Sequence, residues 1–169
     1  MKNHFELFGL TPAYALDLGH LDRAYREIQS EVHPDRFAHA GDAERRASMQ
    51  MTTQVNEAYR TLKSPVQRAR YLLELNGVDA GFESNTAMPP EFLTRQMELR
   101  EALDDARDVA TLDRLQKNVA EEKREIEKRI AELIDARHDY NAASNPVREL
   151  MFLEKFGDEI VSAYEDLET

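Results

Sequence analysis

Three consecutive residues, His33, Pro34 and Asp35, carry the side chains whose types and spacing could do chemistry. A histidine oriented by an aspartate is the pair that supplies a general base in many hydrolytic enzymes. Here a single proline separates the two residues, and neither Ser30 nor Ser48 lies in the sequence context of an activated nucleophile. The sequence also lacks a glycine-rich phosphate loop. We therefore favour recognition over hydrolysis and expect no catalytic residue.

Cysteine and histidine, the ligands of most transition-metal sites, are absent or scattered. The chain has no cysteine, which excludes disulfides, thiolate metal sites and thiol catalysis. The histidines lack ligand spacing; they are His4, His20, His33, His39 and His138. No apolar run approaches the roughly 18 residues of a membrane helix, and residues 1–10 lack the features of a signal peptide. We expect no metal site, no cofactor, no membrane association and a cytoplasmic location.

Charge is distributed unevenly along the 169 residues, which carry a formal net charge of −11. Residues 1–76 contain 10 Lys/Arg and 10 Asp/Glu, a net charge of zero, whereas residues 77–169 contain 12 and 23, a net charge of −11. This change in composition predicts two modules. The acidic half would repel phosphate backbones, so we expect no nucleic-acid partner.

Helical periodicity surrounds the His-Pro-Asp tripeptide. Asp17 is a predicted N-cap, and a stripe of apolar residues follows it: Leu18, Leu21, Tyr25, Ile28 and Val32. Pro34 should end this helix, since the residue before a proline disfavours helical geometry. After a polar loop over residues 36–42, a helix over residues 43–62 presents a second stripe: Ala47, Met51, Val55, Ala58 and Leu62. These patterns predict an antiparallel helical hairpin with the tripeptide at its tip.

The rest of the chain is also predicted to be helical. Ser64 and Pro65 should begin a helix that ends at Gly77. Residues 77–90 show no periodicity and are predicted to be a linker between an N-terminal domain, residues 1–76, and a C-terminal domain, residues 91–169. The C-terminal domain contains three helical patterns, over residues 91–106, 111–142 and 146–167, and no strand signal. The predicted fold is all-α, with an antiparallel three-helix bundle at the C-terminus.

The residues around the tripeptide resemble a J-domain, the module that activates DnaK-class chaperone ATPases. The resemblance rests on the sequence after the triad, residues 54–62, 64–65 and 68–73. Further features resemble the HscB family, the J-proteins of bacterial iron–sulfur cluster biogenesis: residues 5–10, Phe37, residues 68–73 and residues 92–101. The similarity extends over nearly the full chain. It implies a co-chaperone that acts on an HscA/DnaK-class ATPase and assists iron–sulfur cluster assembly.

The J-domain resemblance gives the tripeptide a binding role. Pro34 fixes its own φ angle and should project His33 and Asp35 from an exposed tip. By resemblance, this tip contacts the chaperone and favours ATP hydrolysis. J-domains also present a basic face beside the triad, and here Arg23, Arg26 and Arg36 are the candidates. Acidic neighbours, Asp22, Glu27 and Glu31, depart from the strongly basic family pattern.

A second surface is predicted on the C-terminal bundle. On a helical wheel, Leu93 and Met97 lie roughly 130° from the apolar stripe of their helix, and Phe152 lies about 90° from its own. Exposed apolar residues with charged neighbours indicate a protein-binding surface; the alternative is that all three pack inside the chain. The HscB resemblance implies an IscU-type iron–sulfur scaffold as the partner, contacted by Leu93, Met97, Glu98, Arg100, Glu101 and Phe152. Thr94 is smaller than the apolar residue found there in some relatives.

Two other functions stay open at this point. The chain could be a J-domain adaptor for a different client protein. It could also be a non-catalytic structural protein that uses residues 112–142 as a coiled coil, although Glu122 and Lys123 interrupt the apolar seam that a coiled coil requires.

Overall fold

The computed structural model describes residues 1–79 and 88–169, and within these two ranges the chain forms helices and no strand. The chain divides into two compact units, Met1–Leu72 and Leu73–Thr169. The predicted domain boundaries, at residues 76 and 91, remain a prediction, because most of the predicted linker lies outside the described residues. The all-α fold is confirmed. Its helices are α1 (His4–Leu7), α2 (Leu18–Val32), α3 (Asp42–Lys63), α4 (Pro65–Leu75), α5 (Pro90–Asp105), α6 (Val109–Ala131) and α7 (Tyr140–Glu168).

The N-terminal unit is built on the antiparallel pair α2 and α3. Asp17 caps α2 as predicted, since its carboxylate accepts the backbone N–H of His20 at 3.1 Å. The antiparallel order follows from two hydrogen bonds: Val32 at the end of α2 contacts Ser48 near the start of α3, and Asp22 contacts Lys63 at the end of α3. The buried core contains Phe5, Phe8, Tyr14, Leu21, Val55, Ala58, Leu62, Val66, Ala69 and Leu72.

Some residues of the two predicted apolar stripes do not lie in the core. Leu18, Ala47 and Met51 are exposed, whereas Ser48 is buried. The face of α3 that meets α2 near the tip of the hairpin therefore includes Ser48 rather than its apolar neighbours. A buried serine is tolerated there because its hydroxyl donates a hydrogen bond to Val32. The polar loop predicted over residues 36–42 also begins too early, since Pro34–Phe37 form a 3₁₀ helix.

A polar and aromatic network fastens α2 to α3 on the side of the hairpin away from its tip. The rings of Tyr25 and Tyr59 stack with centroids 3.9 Å apart. The Tyr25 hydroxyl donates to Asn56 Oδ1 at 2.7 Å, and the Tyr59 hydroxyl donates to Asp22 Oδ1 at 2.8 Å. Lys63 Nζ lies 2.8 Å from the same carboxylate oxygen. These contacts fix the relative position of the two helices that carry the tip.

This network predicts that the stability of the N-terminal unit decreases at acidic pH. Hydrogen bonds from Lys63 and then Tyr59 lower the pKa of Asp22 below its usual 3.8. Because the folded pKa lies below the unfolded one, the stabilisation is complete above 3.8 and is lost as the pH falls through the folded pKa. We expect Lys63→Met to raise the pKa of Asp22 in an NMR titration of its carboxyl carbon. An identical Asp22 pKa in both proteins would contradict this origin of the shift.

Arg68 is a buried arginine that joins α4 to the rest of the N-terminal unit. Its Nε donates to the carbonyl oxygen of Tyr14 at 2.8 Å and its guanidinium donates to the carbonyl oxygen of Leu62 at 2.7 Å. The guanidinium carbon also lies 5.1 Å from the centroid of the Tyr14 ring. One side chain thereby satisfies a carbonyl group at the end of α3 and another in the segment that precedes α2.

Replacement of Arg68 should destabilise the N-terminal unit. In Arg68→Met the stem is retained while both carbonyls lose a buried donor, so we expect a loss of about 1–3 kcal/mol in the free energy of unfolding. Urea denaturation, followed by NMR amide signals of residues 1–72, measures this value. Arg60→Met is the matched control, because Arg60 is exposed and has no ion pair among the described residues. Equal stability of Arg68→Met and wild type would refute the expected role.

The C-terminal unit is an antiparallel bundle of α5, α6 and α7, as predicted. Its core brings together residues of all three helices: Leu99, Leu115, Val119, Leu153, Phe156 and Ile160. The predicted helix over residues 111–142 was wrong at its end, because the α-helical part stops at Ala131 and a π-helical turn, Glu132–Ala136, follows. The chain then reverses direction through His138, which has a φ of 52°. Residues 112–142 therefore do not form the single helix that a coiled coil would require.

The start of α7 also differs from the prediction, which placed it at Pro146. The true N-cap is Asp139, whose carboxylate accepts the backbone N–H of Ala142 at 3.1 Å. Pro146 lies buried inside α7, where its missing N–H leaves the carbonyl of Ala142 without its helical partner. The sequence Ser144-Asn145-Pro146 resembles a helix start, but tertiary packing extends the helix through it.

Candidate functional site

The His-Pro-Asp turn, residues 33–37, begins where α2 ends. His33 has an extended conformation, with φ −57° and ψ 133°, and Pro34 starts the short 3₁₀ helix. The backbone N–H of Asp35 donates to Nδ1 of His33 at 3.2 Å, and the N–H of Arg36 donates to the His33 carbonyl at 3.0 Å. The His33 side chain is 49% exposed and that of Asp35 is 93% exposed. The turn is thus internally ordered and open to solvent.

The geometry of the turn suits recognition better than catalysis. Oδ2 of Asp35 lies 3.6 Å from Nδ1 of His33, beyond hydrogen-bond distance, so the carboxylate does not orient the imidazole as in a catalytic triad. Because Nδ1 accepts a backbone N–H, the neutral ring carries its proton on Nε2. The turn therefore presents one ring donor and one carboxylate acceptor in a fixed relation.

Two hydroxyl groups on α3, which the sequence analysis did not identify, contact the backbone at the end of α2. The Ser48 hydroxyl donates to the carbonyl oxygen of Val32 at 2.6 Å, and the Thr52 hydroxyl lies 3.2 Å from the same oxygen. Val32 directly precedes the His-Pro-Asp turn. The spacing of Ser48 and Thr52, four residues apart on one helix face, was the available signal, but its partner became visible only in three dimensions.

Arg23, Arg26 and Arg36, the predicted electrostatic contacts, are all exposed. None of the three forms an ion pair in the part of the chain that the structure describes. Arg23 and Arg26 lie on α2 and Arg36 lies in the His-Pro-Asp turn. Three exposed positive charges therefore lie on the two segments that meet at His33, and they can pair with an acidic partner surface.

The second predicted surface lies on α5 and α7, and we call it the α5/α7 surface. Leu93 and Met97 are 48% and 66% exposed, so the prediction that they avoid the core is confirmed. Phe152 is half-buried: its ring packs against Phe92 in an edge arrangement, with centroids 5.8 Å apart, and against Phe156. The α5/α7 surface consists of Leu93, Met97, Glu98, Arg100, Glu101 and Phe152.

Two charged residues of the α5/α7 surface, Glu98 and Arg100, are held by partners that the sequence analysis did not identify. The guanidinium carbon of Arg100 lies 5.5 Å from the centroid of the Phe152 ring, and the guanidinium pairs with Glu159 at 2.9 Å. Glu98 accepts from Arg95 at 3.1 Å, and Arg95 also pairs with Glu122 on α6. The three-residue spacing of Arg95 and Glu98 could have indicated the first of these pairs.

Other kinds of site find little support in the described residues. Within residues 1–79 and 88–169, no group of three or more His, Asp or Glu side chains could hold a metal ion. Among the helices of these same ranges, none has both the length and the apolarity required to cross a bilayer.

Each of the two units matches a known protein family. The DnaJ domain family matches residues 3–71, and the family described as the HSCB C-terminal oligomerisation domain matches residues 88–161. The co-chaperone protein HscB homolog of Burkholderia vietnamiensis is 52% identical, over 99% of this chain and 97% of the relative. The chain belongs to the HscB family. The HscB homolog of Azoarcus sp. is 48% identical, over 99% of this chain and 96% of its own length.

Solved HscB structures share the fold of this chain. Chaperone HscB from Vibrio cholerae is 35% identical with a TM-score of 0.88, over 98% of this chain and 99% of that chain. Human co-chaperone HscB is 26% identical with a TM-score of 0.91, over 95% of this chain and 81% of that chain. The predicted J-domain and C-terminal helical domain are therefore confirmed. As an HscB, the chain is a J-domain co-chaperone for a DnaK-class chaperone, and its family is not one of catalytic enzymes.

Proposed function

We propose that this HscB binds an IscU-type iron–sulfur scaffold through the α5/α7 surface and presents it to an HscA/DnaK-class chaperone, whose ATPase the His-Pro-Asp turn activates. The observation that carries the proposal is the presence of two exposed surfaces of different chemistry on the two units. One is a polar turn with adjacent arginines, and the other is an apolar pair with charged neighbours.

The chaperone contact rests on the fixed geometry of the His-Pro-Asp turn. The Asp35 carboxylate is almost fully exposed, and the bond from the Asp35 N–H to His33 holds the backbone that carries it. A preorganised acceptor loses little conformational entropy when it binds a donor on the partner. Arg23, Arg26 and Arg36 add positive charge beside it, which favours approach to an acidic chaperone surface and raises the association rate.

The scaffold contact rests on Leu93 and Met97. These two side chains lie four residues apart on α5 and project together from one face of the helix. An apolar centre with charged residues around it, here Glu98, Arg100 and Glu101, is the usual anatomy of a protein interface. The Phe152 ring, partly covered by Phe92 and Phe156, supplies a rigid aromatic edge to the same surface.

One chain that holds both partners changes the kinetics of their meeting. A scaffold bound to the C-terminal unit reaches the chaperone at a high effective concentration, since the second encounter becomes local. Hydrolysis then retains the scaffold on the chaperone. Thiolate ligands for the cluster must come from the partners, because the sequence has no cysteine. A cytoplasmic location is part of the proposal.

A steady-state ATPase assay tests the proposal. A DnaK-class chaperone is measured alone, with this HscB, with an IscU-type scaffold, and with both. We expect the two proteins together to stimulate hydrolysis by more than the sum of their separate effects, because HscB couples them. Stimulation by HscB that is indifferent to the scaffold would instead favour an adaptor for a different client, and no stimulation at all would refute the chaperone contact.

A further inference from the structure

The carbonyl group of Val32 has lost its helical partner because of the His-Pro-Asp turn itself. In a continuing helix it would accept the N–H of Arg36, four residues on. Here that N–H donates to His33 instead, at 3.0 Å, since Pro34 converts the chain to a 3₁₀ turn. The last carbonyl groups of a helix have no N–H partner within the helix, so they need hydrogen-bond donors from elsewhere.

Ser48 supplies this partner from the opposite helix. Its side chain is buried, with the residue only 5% exposed, and its hydroxyl lies 2.6 Å from the Val32 carbonyl. Thr52 lies 3.2 Å from the same oxygen but 2.8 Å from the Ser48 carbonyl of its own helix. A hydroxyl has one proton to donate, so Thr52 favours its own helix and Ser48 is the main donor to Val32.

We infer that Ser48 is a positioning residue for the His-Pro-Asp turn, acting through its hydrogen bond to the carbonyl of Val32. Two bonds separate this carbonyl carbon from the Cα atom of His33, so the position of the one limits that of the other. The Ser48 bond replaces the helical bond that Val32 loses when the Arg36 N–H donates to His33, and it ties the start of the turn to α3. The functional part of the inference rests on the proposed activation of a DnaK-class ATPase.

The contact has a functional consequence because the backbone hydrogen bonds seen for Asp35 and Arg36 in the described residues stay inside the turn. The bonds of Asp35 and Arg36 to His33 lie within the turn and move with it. The Ser48 bond instead connects the residue before His33 to the core of the N-terminal unit. Its loss should allow the whole turn to shift relative to Arg23 and Arg26 on α2 without unfolding the helices that carry it.

The test compares hydroxyl deletions on α3. Ser48→Ala removes the main donor, and Ser48→Ala combined with Thr52→Val removes both hydroxyls. Thr53→Val is the matched control, because the Thr53 hydroxyl donates at 3.0 Å to the carbonyl oxygen of Met49 in its own helix and forms no hydrogen bond to the turn among the described residues. Ser48→Thr restores a hydroxyl and serves as the conservative rescue. Each full-length variant is assayed for ATPase stimulation well below its unfolding midpoint.

We expect Ser48→Ala to lower the maximal stimulation about fivefold, the size of effect given by one net hydrogen bond of about 1 kcal/mol. The half-saturating concentration of co-chaperone should change less, because the exposed arginines remain. Thr53→Val should match wild type, and Ser48→Thr should recover part of the activity. Equal maximal stimulation by wild type and both Ser48→Ala variants would overturn the inference.

An NMR readout separates this inference from the proposed function. Loss of the Ser48 bond should shift the Asp35 amide and the His33 ring nitrogens and accelerate hydrogen exchange at Arg36, whereas Thr53→Val should leave them unchanged. If wild-type protein fails to stimulate the ATPase, the proposed function fails, and the NMR spectra still judge the Ser48 contact. Unchanged signals for residues 33–36 in the double variant would refute it directly.

Discussion

The variant His33→Gln is expected to lose all stimulation of the DnaK-class ATPase while binding the scaffold with unchanged affinity. The reason lies at Nδ1, which accepts the backbone N–H of Asp35 at 3.2 Å. A glutamine side chain can imitate the distal nitrogen of imidazole, but it offers no acceptor at the position of Nδ1. The Asp35 carboxylate is almost fully exposed and is the main candidate acceptor for the chaperone, and the backbone that carries it would then lose this bond.

Single-turnover ATP hydrolysis by the chaperone measures this loss, and isothermal titration calorimetry measures scaffold affinity. His39→Gln provides a matched control, since His39 is also exposed and lies two residues beyond the turn. It should retain wild-type stimulation. Full activity of His33→Gln would remove the turn from the mechanism, while simultaneous loss of scaffold binding would indicate misfolding.

The second large effect is expected on scaffold binding, when the two exposed apolar side chains on α5 are truncated. Leu93→Ala combined with Met97→Ala should weaken scaffold binding on the order of 1–4 kcal/mol, the range of interface hot spots. Since both side chains are about half exposed or more, their truncation opens no core cavity, and the stability of the bundle should be nearly unchanged. The free energy lost then reports on the interface alone.

Phe152→Ala also tests the α5/α7 surface, but it changes bundle stability at the same time. Its ring packs against the core cluster through Phe156 and against Phe92, so truncation should lower bundle stability as well as scaffold affinity. Calorimetry with each variant, alongside thermal unfolding, separates these two losses. Val109→Ala is the control, because Val109 is an exposed apolar residue of α6 outside the α5/α7 surface. Scaffold affinity unchanged by the Leu93 and Met97 double substitution would remove the α5/α7 surface from the proposal.

Local signals in the sequence predicted much of this fold. Asp17 caps α2 and Ser64 accepts the N–H of Gln67 at 3.2 Å, because short polar side chains before a helix satisfy its free N–H groups. Gly77, with a φ of 72°, follows the end of α4, where a left-handed conformation favours glycine. Helical periodicity also separated Leu93 and Met97 from the main apolar stripe of α5, although it left open whether they pack inside the chain; the structure shows both exposed.

The features that the sequence analysis missed depend on contacts between distant residues. Ser48 appeared to be an isolated serine because its partner, the Val32 carbonyl, belongs to the backbone of another helix. Pro146 appeared to start a helix, whereas packing of α7 against α6 carries the helix past it. Phe152 lay off the main apolar stripe, but two neighbouring aromatic rings cover part of it. Tertiary packing outweighs local propensity in each case.

Coupling of the two surfaces within one chain is tested most directly by mixing two full-length variants that fail at different sites. His33→Gln keeps the α5/α7 surface, and the Leu93→Ala and Met97→Ala double variant keeps the His-Pro-Asp turn. In an ATPase assay at subsaturating scaffold, we predict that the mixture lacks the scaffold-dependent stimulation seen with wild type, because neither chain can hold both partners. Scaffold-dependent stimulation by the mixture equal to that of wild type would contradict the account.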